Sequence, residues 1–431
     1  MSKFVIEGGQ PLSGTIEASG NKNAALALLP ACLLTEEPVT LHNIPNIQDV
    51  RTALAILEDL GVEVEQLGAG SLRLRAGTIC KTELDQNLAG RIRASLLFSG
   101  PLLGRAGEIT LPLPGGDVIG GRPLDTHIQG LRALGVEVDV DEEQGLFHMQ
   151  ANALQGAGYL LQAEASVTGT ENTVMAAAVA EGKTVIDNAA SEPHVRDLCN
   201  FLNRMGARIE GVGTNRLIIH GVDRLSGGDF TIGADFMEVG SFIGAAAVTG
   251  GEVRIQRASP RDLRMIRLVY RRLGVVWNEE GEDVVISAEQ PLTIEHALGG
   301  RIPEIKPLPW PGFPPDLMSI AVVIGTQSRG AVLLHDWMYE SRFFFVDKLR
   351  FMGARVVLCD PHRVLVQGPC DLYANPHGVT SPDIRAGMAM VLAALCARGT
   401  STIHNIHQID RGYERIEQKL QQLGARIERL S

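Results

Sequence analysis

Six times along this chain a helical pattern runs into Leu-Gly or Met-Gly and turns at once into alternation. The segments are LEDLGVEVE, LRALGVEVDV, LNRMGARIE, YRRLGVVW, LRFMGARVV and LQQLGARIE. Their glycines, Gly61, Gly135, Gly206, Gly274, Gly353 and Gly424, are spaced by 74, 71, 68, 79 and 71 residues. In the third copy Leu198, Phe201, Leu202 and Met205 fall at i, i+3, i+4 and i+7, which predicts one apolar stripe of a helix. Gly206 then suits the left-handed position just past a helix end, and a strand is predicted from Arg208 to Glu210.

Each copy also opens on a β-rich run, usually after a glycine: PVTLHN, GEITLP, GKTVID, GEVRIQ, GAVLLH and GTSTIH. From that glycine to the helix-ending one there are 24, 23, 23 and 25 residues in the last four copies, but 28 in the second. The surplus lies near PLPGGDVIGGRP, so one repeat carries an enlarged glycine-rich loop, where function tends to sit. A period near 70 with strands and helices in each unit excludes helical solenoids and propeller blades, whose periods are shorter. In 431 residues, six α/β units predict two domains of three units each. The repeat alone does not say where the chain crosses between them.

With 39 basic against 50 acidic residues the chain carries a net charge of −11, which argues against nucleic acid or an anionic membrane surface as partner. The six cysteines form no CxxC pair, and MSKFVIEGG is no secretory leader, so a cytoplasmic protein with reduced thiols is expected. The apolar run Ala24–Leu34 is too short to span a bilayer and predicts a buried helix. The eleven histidines show no metal-ligand spacing, so no metal site is expected.

Several cations stand at predicted element starts. SGNKNAA places Lys22 at a helix start, where a cation and free N–H groups bind an anion together. GRIRASL offers Arg91 and Arg93, and GGDVIGGRPLDTHI surrounds Asp117 with four glycines before Arg122 and Asp125. Asp316 closes the proline-rich WPGFPPD just ahead of an apolar run. Asp383 and Arg385 lead into another, and Arg411 precedes Gly412. Each has a plainer reading: solvated surface cations, a turn loop, or, for Asp383, a helix cap. Arg385 needs an anionic partner where a helix this apolar begins. Together Lys22, Arg93, Arg122, Arg342, Arg385 and Arg411 suggest convergence on an anionic ligand; scatter over the surface is the alternative.

SGNKNAALALLPACLL, RIRASL, PGGDVIGGRPLDTHI, SEP within NAASEPHVRD, FPPD, SRF, PDIRAG and HQIDRGYERIEQKL run in family order over essentially the whole chain. On these blocks the sequence resembles the UDP-N-acetylglucosamine 1-carboxyvinyltransferase family of enolpyruvyl transferases. The resemblance implies an inside-out α/β barrel fold: two domains, each of three βαβαββ units around parallel helices. It implies one discontinuous domain of residues 1–20 with 234–431, an inserted domain of 21–233, and an active site in the cleft between them. The implied reaction moves the enolpyruvyl group of phosphoenolpyruvate to the 3-hydroxyl of UDP-N-acetylglucosamine and releases phosphate, the first committed step of peptidoglycan precursor synthesis. No metal and no organic cofactor is implied, and the oligomeric state is left open.

By the same resemblance Lys22, Arg122 and Arg411 hold the phosphate with Arg93 assisting, and Arg342 and Arg385 face the substrate's remaining negative charge. Asp316 matches the base position, and Asn23 and Asp383 match groups lining the site. Arg93, Arg122, Pro123, Leu124, Asp125, Ser166, Val167, Thr168, Asp316 and Met338 match contacts to the nucleotide sugar. Relatives usually carry a cysteine in the GGC loop, the thiol alkylated by the epoxide antibiotic fosfomycin; here Asp117 stands in its place. A working enzyme insensitive to fosfomycin is therefore expected, with Asp117 as general acid. A second departure is ADFMEVGSF, where relatives often read close to DRIETGTF and Phe236 replaces an arginine. SVTGTEN is likewise a variant of the family's nucleotide loop. Two alternatives stand beside this reading: transfer to shikimate 3-phosphate on the same fold, and a non-catalytic nucleotide-sugar binding homologue.

Overall fold

The six repeat glycines each occupy left-handed backbone, with φ between 81° and 104°, so each ends a helix and launches a strand as the pattern predicts. This holds in a computed structural model that describes residues 2–115, 121 and 123–430. The predicted third-copy helix spans Pro193–Arg204, and the strand after it spans Arg208–Glu210. The six β-rich openings are strands Val39–His42, Glu108–Pro112, Lys183–Asp187, Glu252–Gln256, Gly330–His335 and Thr400–His404.

Each of these strands lies in its own sheet; in the first five repeats it neighbours one strand of an antiparallel pair that follows the outer helix of the same repeat, and in the sixth Lys3–Glu7 takes that place. Five sheets have four strands, because a further strand adds in parallel on the other edge. The second repeat has three strands, and its parallel neighbour is reduced to a single bridge, Glu83 to Thr110. Three sheets are completed from afar; in one of them Ser13–Glu17 pairs in parallel with Glu252–Gln256. Gly228–Thr231 pairs in parallel with Val39–His42, and Lys3–Glu7 inserts between Thr400–His404 and Arg426–Leu430.

Six inner helices run through the repeats: α1 (Lys22–Ala31), α2 (Ser99–Ala106), α3 (Val167–Ala177), α4 (Phe236–Thr249), α5 (Met318–Gln327) and α6 (Ile384–Cys396). Helix α4 buries 13 of its 14 residues and α6 buries 12 of 13, so neither has a solvent face. The outer helices are amphipathic instead; Arg264–Arg272 buries Ile266, Val269 and Tyr270 and turns its arginines outward. In each unit, helices surrounded by sheets match the inside-out α/β barrel that the resemblance implies.

The chain divides into two compact units. One gathers Met1–Ser19 with Ala234–Ser431, the other Gly20–Gly116 with Arg122–Gly233. Each has its own apolar core. In the first, α4, α5 and α6 pack on one another, with Phe242, Ile320 and Leu392 fully buried or nearly so. In the second, α1, α2 and α3 supply Leu28, Leu102 and Val174 to a separate cluster. Among the described residues no helix is long and apolar enough to cross a membrane. The run Ala24–Leu34 is a buried helix that tightens into a 3₁₀ turn at Cys32–Leu34.

Candidate active site

In the first unit a short turn at Pro315–Leu317, entered through Pro314, delivers Asp316 just before α5 begins. Its carboxylate is about a third exposed and is held from two sides. Oδ1 accepts from Arg342 Nη2 at 3.2 Å and Oδ2 accepts from Arg385 Nε at 2.8 Å. Both arginines are buried, at 1% and 5% exposure, which is tolerable only because each is paired. Burial works against the charge of each, yet the surrounding carboxylates (and, for Arg385, Tyr413) raise both guanidinium pKa values above the ordinary arginine range.

Asp383 caps α6: its Oδ1 accepts from the backbone of Arg385 at 2.8 Å and of Ala386 at 2.9 Å. The helix cap expected of that acid is therefore present, and it also fixes where Arg385 leaves the helix. Beneath Arg385 lies the ring of Tyr413, 5.2 Å from its guanidinium carbon, and the tyrosine hydroxyl meets Ser241 Oγ at 2.9 Å. Arg342 stacks likewise on Tyr339 at 5.1 Å and lies 3.5 Å from the buried carboxylate of Asp336. Among the described residues, Arg342 Nε and Arg385 Nη1 have no hydrogen-bond partner. Two buried guanidinium groups with donors to spare are suited to an incoming carboxylate or phosphate. Arg411 follows the helical turn His407–Asp410, half-buried, with its Nη1 donating to Gln408 at 3.1 Å. Met338 is half-buried and donates its N–H to Asp336.

In the second unit Lys22 is the first residue of α1, whose start is capped by the Asn21 side chain. Its ammonium pairs with Asp49 at 2.8 Å, with both side chains at least nine-tenths buried. Asn23 follows it, half-buried. Arg93 donates to the carbonyl of Pro123 at 3.4 Å, tying RIRASL to the GRPLDTHI block. Leu124 and the exposed Asp125 open the outer helix Asp125–Ala133. Ser166 caps α3, with Val167 and Thr168 in its first turn, so the predicted nucleotide loop is a helix N-terminus. Behind it His127 is buried, with Nε2 on Thr168 Oγ1 at 2.9 Å and Nδ1 accepting from Asn172 at 3.3 Å. Asp117 and Arg122 lie outside the described residues.

The structure thus groups Asp316, Arg342, Arg385 and Asp383 in one unit, and Arg93, Pro123, Ser166, Val167 and Thr168 near the starts of helices in the other. Phe236, the departure from the family's arginine, begins α4 at 1% exposure, its ring 5.7 Å from that of Trp310. An arginine there would need a partner; a phenylalanine packs. Sequence reasoning missed Asp49, His127, Asp336, Tyr339 and Tyr413. His127 and Tyr413 lie within blocks that carry the resemblance, which was the one signal that could have flagged them. Among the described residues no group of three metal-ligating side chains is gathered.

The model of the EPSP synthase (3-phosphoshikimate 1-carboxyvinyltransferase) family matches residues 6–420. A Treponema denticola protein called UDP-N-acetylglucosamine 1-carboxyvinyltransferase is 51% identical over 428 residues, 99% of each chain. The Treponema pallidum protein of the same name is 53% identical over 427 residues, again 99% of each. Among solved structures, the enolpyruvyl transferase NikO from Streptomyces tendae superposes with a TM-score of 0.86 at 24% identity, covering 99% of this chain and 98% of its own. EPSP synthase from Acinetobacter baumannii gives 0.75 at 17% identity over all of both chains.

Proposed function

The chain belongs to the UDP-N-acetylglucosamine 1-carboxyvinyltransferase family, and from that premise we propose how its own residues carry the transfer of an enolpyruvyl group from phosphoenolpyruvate to the nucleotide sugar's 3-hydroxyl. Lys22, Arg122 and Arg411 hold the phosphate, with Arg93 and Asn23 beside it. Arg342 and Arg385 take the carboxylate. Pro123, Leu124, Asp125, Ser166, Val167, Thr168 and Met338 receive the nucleotide sugar, and Asp383 lines the site while it caps α6.

Asp316 removes the hydroxyl proton as the sugar oxygen adds to the carbon that bears the phosphate. Asp117 gives a proton to the vinyl carbon in the same addition. Expulsion of phosphate, with loss of one proton from the methyl group so formed, restores the double bond. The observation that supports this reading best is the carboxylate of Asp316, fixed between two buried arginines at 3.2 and 2.8 Å. Clamped on both oxygens, it meets the hydroxyl in one orientation.

Phosphate release from phosphoenolpyruvate, measured with UDP-N-acetylglucosamine, with shikimate 3-phosphate and with no acceptor, tests the acceptor. Release with the nucleotide sugar alone is expected. Release with shikimate 3-phosphate instead, or none despite binding, favours one of the two alternatives. Asp117 also predicts the drug response, since a carboxyl is a far poorer nucleophile than a thiolate. Turnover is expected to persist in fosfomycin, and Asp117→Cys should make the enzyme sensitive while keeping transfer. Inactivation at low drug with an adduct on Asp117 would sink this assignment.

A further inference from the structure

Asp336 has no place in the reaction as proposed above, yet it is the most deeply buried carboxylate around Arg342, with no exposed surface at all. It sits at the end of the strand Gly330–His335, where the chain turns toward Arg342. One oxygen, Oδ1, accepts from the backbone N–H of Met338 at 2.9 Å and of Tyr339 at 3.2 Å, shaping the segment that carries all three side chains. The other, Oδ2, faces Arg342 Nε at 3.5 Å, and neither of those two atoms has a hydrogen-bond partner among the described residues. Arg342 therefore stands between two carboxylates, in hydrogen-bond contact with Asp316 and in looser ionic contact with Asp336.

We propose that Asp336 is a positioning residue: it holds Arg342 against Asp316 and, by sharing that guanidinium's charge, keeps Asp316 basic enough to take the hydroxyl proton. The inference rests on Asp316 being the base. The charges that face Asp316 come from every neighbouring element. Arg342 and Asp336 belong to the segment 336–342, and Asp383 and Arg385 to the start of α6. Tyr339 lies under Arg342 and Tyr413 under Arg385, while Asp235, capping α4, acts on Arg385 at longer range. Burial raises the carboxyl pKa of Asp336, Arg342 and the two N–H donors oppose that rise, and the charge of Asp316 adds a little to it.

Asp336→Asn is the direct probe, because an amide oxygen can still accept from Met338 and Tyr339 while the charge is gone. Removing a negative charge makes Asp316 easier to ionise, so the acid limb of kcat/KM for UDP-N-acetylglucosamine should move to lower pH by roughly half a unit to one unit. The plateau should fall by roughly two- to threefold, as Brønsted behaviour expects of a base weakened by that much. Asp336→Glu, which keeps the charge and displaces it, should lower kcat while leaving the limb near its original pH. An unmoved limb in Asp336→Asn, or one displaced equally in both variants, overturns the proposal and reduces Asp336 to a structural turn. Asp316→Asn is run alongside. Loss of turnover in that variant keeps the base assignment intact whichever way Asp336 falls, whereas retained turnover overturns the base assignment and this inference together.

Discussion

An amide nitrogen can only donate, so the contact from Asn172 to His127 Nδ1 makes that ring nitrogen an acceptor and puts the imidazole proton on Nε2, given to Thr168. A buried ring with both nitrogens so occupied has no use for a second proton, and burial with the nearby Arg93 charge pushes its pKa down to about 3. In the unfolded chain the same group titrates near 6.5. Between those values the unfolded state binds a proton the folded state refuses, so stability falls as pH drops through that window, by at most roughly 1.4 kcal/mol per pH unit. Urea unfolding at pH 7.5 and pH 5 should show it: replacing His127 with Gln is expected to shrink the loss between the two by about 1–2 kcal/mol. An equal loss in both proteins places the acid sensitivity elsewhere. This residue also shows what a sequence hides at this scale. GRPLDTHI is conspicuous, but the partners that decide the state of His127 lie 41 and 45 positions downstream. Asp336 and Asp49 are concealed in the same way, since an isolated acid announces neither its burial nor the cation it will meet. Asp316, Arg342 and Arg385 were legible through the resemblance, and Arg385 also because a charge at the head of an apolar helix requires an anion.

The helix-to-strand junction is the element the chain states most openly, because its left-handed residue must be glycine or bear strain. What varies between copies is the space around it. At Gly206, with φ of 104°, an added Cβ meets nothing within 4 Å. At Gly274, with φ of 81°, it would lie 2.2 Å from the backbone nitrogen of Thr293 and 2.8 Å from the α-carbon of Leu292. Gly206→Ala should therefore cost only the left-handed strain, about 1–2 kcal/mol. Gly274→Ala should cost at least another kcal/mol or so, because backbone rather than a flexible side chain must give way. Equal denaturation midpoints for the two variants, with equal slopes, would contradict that account. The parallel strands were the least legible elements. Leu160–Leu161, Glu304–Ile305 and Val379–Thr380 are two residues each, too short for alternation to register. They exist because a neighbouring strand offers an edge, which is a tertiary cause.

At the scale of the whole molecule, spacing gives the number of repeats but not which strands close them. Lys3–Glu7 completes the sheet of the sixth repeat and Ser13–Glu17 opens that of the fourth, with Phe4 and Ile6 fully buried. The first nineteen residues are thus structurally part of the C-terminal half. The chain leaves that unit after Ser19 and returns at Ala234, and both margins are stitched locally. Asp235 N–H donates to Ser19 O at 2.8 Å in the first unit, and Asn21 N–H donates to Gly233 O at 2.8 Å in the second. Ser19 is further pinned by Glu238, which accepts its N–H at 3.0 Å, and by Lys419, whose ammonium reaches its hydroxyl at 2.7 Å. The two ends of the excursion are therefore close together in each unit, and among the described residues each unit has its own buried apolar cluster. Residues 20–233 should be removable. With Ser19 joined to Ala234 through two or three glycines, the remaining 217 residues are expected to fold cooperatively, with one urea transition and native-like near-ultraviolet circular dichroism. The excised 20–233 fragment should do the same, because Gly228–Thr231 stays with it to complete the first repeat's sheet. Shortening that fragment to end at 225 removes the strand and should abolish its cooperative transition, whereas a shortened fragment that melts like the longer one would show the parallel edge strand to be dispensable.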